Sequence, residues 1–190
     1  TSCNMENPLL TESKLPYGAP QFDRIRNEHY MPAFEQGIAE AKAEIDAITD
    51  NPEEPSFENT VEAMEYAGQT LDRVSGIFFN LLEADTNDEM QKIAEEVSPK
   101  LTEYSMYVSL NEKLFHRVKA VYEKRATLGL EQDQMRILEN SYRSFVRNGA
   151  NLNGEDKAEY SRLSEELSLA TLSFSKNVLA ATNAYTLNVT

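Results

Sequence analysis

The chain has 190 residues, enough to bury one substantial core, and its hydrophobic and charged fractions of 41% and 26% are those of a globular protein. A net charge of −14 argues against a nucleic-acid or anionic-membrane partner, because gripping a phosphate backbone takes clustered Lys and Arg. A single cysteine, Cys3, excludes a disulfide framework or thiolate metal site within the chain, and no apolar run approaches the ~20 residues of a membrane span.

Seven glycines and seven prolines allow few turns, so the elements must be long, which means helices. Residues 1–21 are polar, carry Pro8, Pro16 and Pro20, and show no periodicity; they read as an extended leader, with Phe22 and Ile25 as its anchors. Thr1-Ser2-Cys3 has the form of the tail of a bacterial lipobox, in which the cysteine becomes the lipidated mature N-terminus. Cys3 is therefore a candidate lipid anchor, and an arbitrary cut leaving a free thiol is the competing reading.

The first helix is predicted over Tyr30–Thr49, with Pro32 in its first turn and Phe34, Ile38, Ala41, Ile45 and Ile48 as its buried stripe. Pro52 and Pro55 must end that pattern, since each lacks an N–H and clashes with the preceding turn. Ser56 then sits where an N-cap belongs, with Glu58 near the positive end of the next helix. Phe57, Val61, Met64, Gly68, Leu71, Ser75, Phe78 and Leu82 recur at steps of three and four, predicting one helix roughly 40 Å long that ends near Leu82 or Ala84.

Thr86 to Glu89 fits a capping box. The third helix follows with Met90, Ile93, Val97, Leu101, Tyr104 and Val108, and Pro99 in mid-pattern predicts a kink. Asn111 caps a fourth helix with Leu114, Phe115, Val118, Val121 and Tyr122 inward, stopping near Leu128-Gly129. A fifth spans Glu131–Arg147, with Met135, Leu138, Tyr142, Phe145 and Val146 facing in, and Asn148-Gly149 is its stop. The sixth opens at 153–155 and carries Tyr160, Leu163, Leu167, Ala170, Phe174, Val178 and Ala181 to about Thr182. Tyr185 to Thr190 alternates apolar and polar residues, which is strand chemistry. The fold expected is all-α: about six helices, several long, in an antiparallel bundle-like array, ending in a β-strand fragment cut from its partner. No repeat or linker divides it.

No catalytic constellation emerges. His29 and His116 lie far apart in sequence and neither begins an H-E-x-x-H, whereas a zinc site needs three or four converging ligands. Glu53-Glu54, Glu95-Glu96 and Glu165-Glu166 are adjacent pairs, which on a helix do not share a face, and they read as solvated surface. There is no phosphate loop and no G-x-S-x-G; Gly149-Ala150-Asn151 is a turn. Phe78, Phe79, Tyr104 and Tyr107 read as core or near-core, with a peptide-contacting wall as the weaker alternative. No catalytic, cofactor-binding or metal-binding residue is assigned.

The stretch Pro55-Ser56-Phe57-Glu58-Asn59-Thr60-Val61 resembles the P-[TS]-[FY]-E-N-T-[ILV] signature of the thimet oligopeptidase and peptidyl-dipeptidase Dcp family of zinc metallopeptidases. His29 to Phe34, Ile45 to Ile48, Phe78 to Leu81, Ser98 to Leu101, Leu114 to Val118, Phe145 to Ala150 and Phe174 to Leu179 are similar to further family blocks in the same order. The likeness covers about Phe22 to Val189 and is to the bacterial peptidyl-dipeptidase branch.

The resemblance implies that residues 22–190 are the N-terminal helical region of a larger clamshell metallopeptidase, forming one wall of a channel for short peptides. Its zinc, and the ligands that hold it, would belong to a catalytic region beyond Thr190, so this stretch alone would be inert. The implied partners are short peptide substrates and that missing region. The expected location is the bacterial cell envelope, periplasmic or lipid-anchored, with the cytoplasm as the alternative. A stand-alone acidic helical binding module or lipoprotein without catalysis is the reading from another class.

Overall fold

The computed structural model describes residues 7–150 and 152–186. Helix α1 (Tyr30–Thr49) has the bounds its sequence predicts, and it is the central element. Tyr30, Ala33, Phe34, Gly37, Ala41, Ile45 and Ile48 are buried along it at steps of mostly three and four. It packs against α2 (Ala63–Tyr66), α3 (Gln69–Ala84), α4 (Asp88–Ser109) and α5 (Glu112–Lys124). Helix α6 (Gln132–Arg147) lies on α5, and α7 (Gly154–Ala184) lies along α4.

Three clusters of buried side chains result. The largest joins Leu9 to α1, α3 and α4 through Phe34, Val74, Phe78, Ala94 and Val97. Tyr30 and Phe34 meet Phe78 edge to face at centroid distances of 4.8 and 5.3 Å, the geometry that ring quadrupoles favour. A second joins the end of α1 to α5 and α6 through Ile45, Ile48, Leu114, Phe115, Val118 and Phe145. A third seats Phe57 and Val61 on Val121 and Leu138. Leu9 is the residue that fixes the leader: it is buried, and its carbonyl accepts from both Nε and Nη2 of Arg73 at 3.3 Å. Phe22, expected to do this, is 55% exposed.

The predicted helix from Phe57 to Ala84 is broken. A π-helical turn, Phe57–Glu62, leads into α2, and the chain then changes direction at Ala67-Gly68 before α3. Ala67 is extended and Gly68 is left-handed, at φ 82°, a conformation that costs glycine little. The Gly68 N–H donates to the Glu44 carboxylate on α1 at 2.6 Å, which satisfies a group the break would leave open. The cap of α4 is Asn87, not Thr86; its side chain accepts from Met90 N at 2.9 Å. Helix α4 runs through Pro99 without interruption. Asn111 caps α5 as expected, Asn153 caps α7 within the stretch predicted to open that helix, and Gly149 at φ 88° closes α6, with Ala150 N donating to Phe145 O at 3.0 Å. Val146, expected inward on α6, is exposed.

No strand is present among the described residues. Helix α7 continues to Ala184, Tyr185 and Thr186 are irregular, and the rest of the expected strand, like Cys3, lies outside the described residues. The larger departure concerns α7. Of the seven residues that carry its apolar pattern all but Tyr160 are exposed, and not one residue of the helix is buried.

Candidate functional site

The segment that carries the family-like signature is built around Asn59. Ser56 Oγ accepts from Asn59 N at 3.1 Å while Asn59 Oδ1 accepts from Ser56 N at 2.9 Å, a reciprocal cap. Asn59 Nδ2 donates to Glu54 O at 3.0 Å, and Oδ1 also accepts from Thr60 Oγ1 at 2.9 Å and from Arg117 Nη2 at 3.0 Å. Arg117, buried on α5, donates through Nη1 to Asn51 O at 3.0 Å and Glu53 O at 3.2 Å. One guanidinium thus holds the whole proline turn to α5 through neutral acceptors. Its Nε has no hydrogen-bond partner. The arrangement positions backbone; it offers no group free to act on a substrate.

The residues considered for metal or acid–base chemistry stay apart. His29 Nδ1 accepts from Arg26 N at 3.0 Å and is spent in the turn before α1. His116 lies on α5 beside Phe115. Glu53, Glu54, Glu95, Glu96, Glu165 and Glu166 are all exposed. Among the described residues no three His, Cys, Asp or Glu side chains are placed to hold one metal ion. These residues do not fit a zinc site, and no chemical step is assigned through one. Nor is any helix among them long and apolar enough to cross a membrane.

Concave apolar surface is found beside α7. A groove of about 750 Å³ runs between α7 and the pair α3 and α4. Phe79 and Leu82 line it from α3, Ala94, Ser98 and Leu101 from α4, and Leu172, Phe174, Val178 and Leu179 from α7. Lys176 Nζ on α7 pairs with Glu95 Oε1 on α4 at 2.7 Å, both side chains half exposed, and ties the two walls. The groove is continuous with the outward stripe of α7, where Phe174 and Leu167 are 70% and 68% exposed and Leu163 and Val178 about half. Side chains of this size are worth about 1.5–3 kcal/mol each when fully buried. Here a line of four is left exposed. The repeat was legible in sequence; which side of α7 its partner occupies was not.

The fold and this surface define an all-α domain with one unfilled apolar side. The family model for the neurolysin/thimet oligopeptidase N-terminal domain matches residues 34–157, and the chain belongs to that family. It is 44% identical over 175 residues to dipeptidyl carboxypeptidase of Escherichia coli, covering 92% of this chain and 26% of the relative. To dipeptidyl carboxypeptidase of Salmonella typhimurium it is 43% identical over 178 residues, covering 94% of this chain and 26% of the relative. It is also 28% identical over 186 residues to oligopeptidase A of Salmonella typhimurium, covering 98% of this chain and 27% of the relative. The chain spans about a quarter of the length of these curated relatives, whose names are those of peptidases.

Proposed function

We propose that residues 22–190, with 1–21 as a leader, form the N-terminal helical region of a longer zinc-dependent peptidase. In this reading the helical layer supplies one wall of a channel that admits short peptides, and the zinc and catalytic groups come from chain outside these 190 residues. The isolated stretch then does not hydrolyse peptides. The observation that carries the reading is the match to dipeptidyl carboxypeptidase over 92% of this chain but only 26% of the relative. The lipobox-like Thr1-Ser2-Cys3 is the one feature that supports the cell envelope, with Cys3 as the anchored residue, and the cytoplasm is the alternative.

The test uses the native gene product. Purified protein is expected to have a mass several times 21.5 kDa, about one zinc per chain, and chelator-sensitive cleavage of a short blocked peptide. A mass of 21.5 kDa without zinc overturns the reading and leaves a helical binding module. The mass of its N-terminal peptide tests Cys3: a diacylglyceryl thioether supports the anchor and a free thiol removes it.

A further inference from the structure

Helix α7 exposes more apolar surface than an ordinary surface helix. Its half-buried positions are Tyr160, Ser161, Ser164, Ser168, Leu172 and Leu179 together with Lys157, while Leu163, Leu167, Phe174 and Val178 are exposed. A helix with one side to solvent puts polar residues there. A helix with a half-buried side against one neighbour and a line of large exposed apolar residues besides belongs between two layers, and among the described residues only one of those layers is present.

We propose that this stripe, with the adjoining groove, is the docking face for an apolar segment of the same protein that lies outside these 190 residues. The proposal rests on the reading above of the chain as part of a longer peptidase, and it names where the two parts meet. Three observations select this occupant. First, about three-quarters of the length of the matched relatives lies outside the matched region, so in a protein of that length there is chain to supply the missing layer. Second, a second copy of this chain is disfavoured by charge. The N-terminal half of α7 carries Glu155, Asp156, Glu159, Glu165 and Glu166 against Lys157 and Arg162, and pairing two such helices in a protein of net charge −14 brings acid against acid. Third, the four large apolar side chains from Leu163 to Val178 are spread over about 22 Å of helix, which suits a fixed apolar partner better than a peptide backbone of variable sequence. The acidic rim adds that the docking segment has Lys or Arg flanking its apolar residues.

The experiment uses the native full-length protein with p-benzoylphenylalanine placed at position 174, and separately at 167, irradiated and digested for mass spectrometry. Intact mass is read first: 21.5 kDa removes the longer-peptidase reading itself, and the docking proposal with it. For a longer chain, crosslinks from these positions to residues beyond 190 of the same chain are the expected result. Covalent dimers, crosslinks to an added short peptide, or recovery of unlinked product alone overturn docking while leaving the longer-peptidase reading intact. Independently, the Leu167→Glu, Phe174→Glu double variant of the full-length protein is expected to lose about 5 °C or more from its unfolding midpoint. An unchanged midpoint overturns the proposal. The crosslinking arm stands if that variant fails to accumulate, since the aromatic probe at 174 keeps the shape of the residue it replaces.

Discussion

Asn59 carries more of the local structure than any neighbour in the signature. Its side chain bonds Ser56 N, Glu54 O, Thr60 Oγ1 and Arg117 Nη2, all at 2.9 to 3.0 Å. Replacing it leaves the part-buried Ser56 N–H and a buried guanidinium arm without partners, and an orphaned buried polar group costs about 1–3 kcal/mol. Asn59→Ala is therefore expected to cost about 3 kcal/mol, or about 10 °C in melting temperature for a chain of this size. Glu58, adjacent but exposed, contributes only a first-turn charge, so Glu58→Ala should cost under about 1 kcal/mol. Thermal unfolding of the two variants side by side checks the contrast; equal losses would remove Asn59 as the hub. The Ser56 cap could be read from the sequence because capping is local. The Arg117 clamp could not, because it joins residues 58 apart and no periodicity relates them.

At the scale of elements, the contact of α1 with α3 depends on Gly37. A Cβ there would lie 3.1 Å from Leu71 Cα and 3.2 Å from Leu71 N, and backbone cannot swing aside as a side-chain tip can. Gly37→Ala is expected to destabilise by about 1–3 kcal/mol, as overpacking does. Gly76 on α3 has nothing within 4 Å of its would-be Cβ, so Gly76→Ala should stabilise by about 0.5–1 kcal/mol through helix propensity. Denaturant titration of the pair reads the opposite signs. Element bounds were legible where proline or a capping residue punctuated the chain, as at both ends of α1 and at Asn111 and Asn153. The break at Gly68 was not, because Met64, Gly68 and Leu71 keep helical spacing across it and one left-handed residue leaves no mark on that spacing. For α7 the stripe itself was visible; its direction depends on a partner that local sequence does not describe.

For the whole molecule, raised tyrosine phenols on α1 and α4 make stability depend on alkaline pH. Burial raises the Tyr30 phenol, and burial followed by the Asp72 and Glu44 charges raises that of Tyr104. Tyr107, whose hydroxyl donates to Asp46, is pushed up to about 12, chiefly by that hydrogen bond. A phenol raised in the folded state favours the neutral form, so its contribution is fully present below pH 10 and is lost as pH rises through about 12. Stability measured from pH 9 to 12 is expected to fall across this window, and Tyr107→Phe should flatten part of the fall. A wild-type profile that stays level to pH 12 would show that these phenols ionise as freely folded as unfolded.

The largest core cluster has its buried members between Leu9 and Val97, while the other two need residues from Leu114 onward. A chain synthesised from its N-terminus therefore has every buried side chain of that cluster before α5 and α6 are made. Leu9, among the first described residues to leave the ribosome, must wait for Val74, Phe78 and Val97 before its pocket is complete. The order of synthesis therefore lets α1, α3 and α4 assemble first, α5 and α6 join at the far end of α1, and α7 follow them.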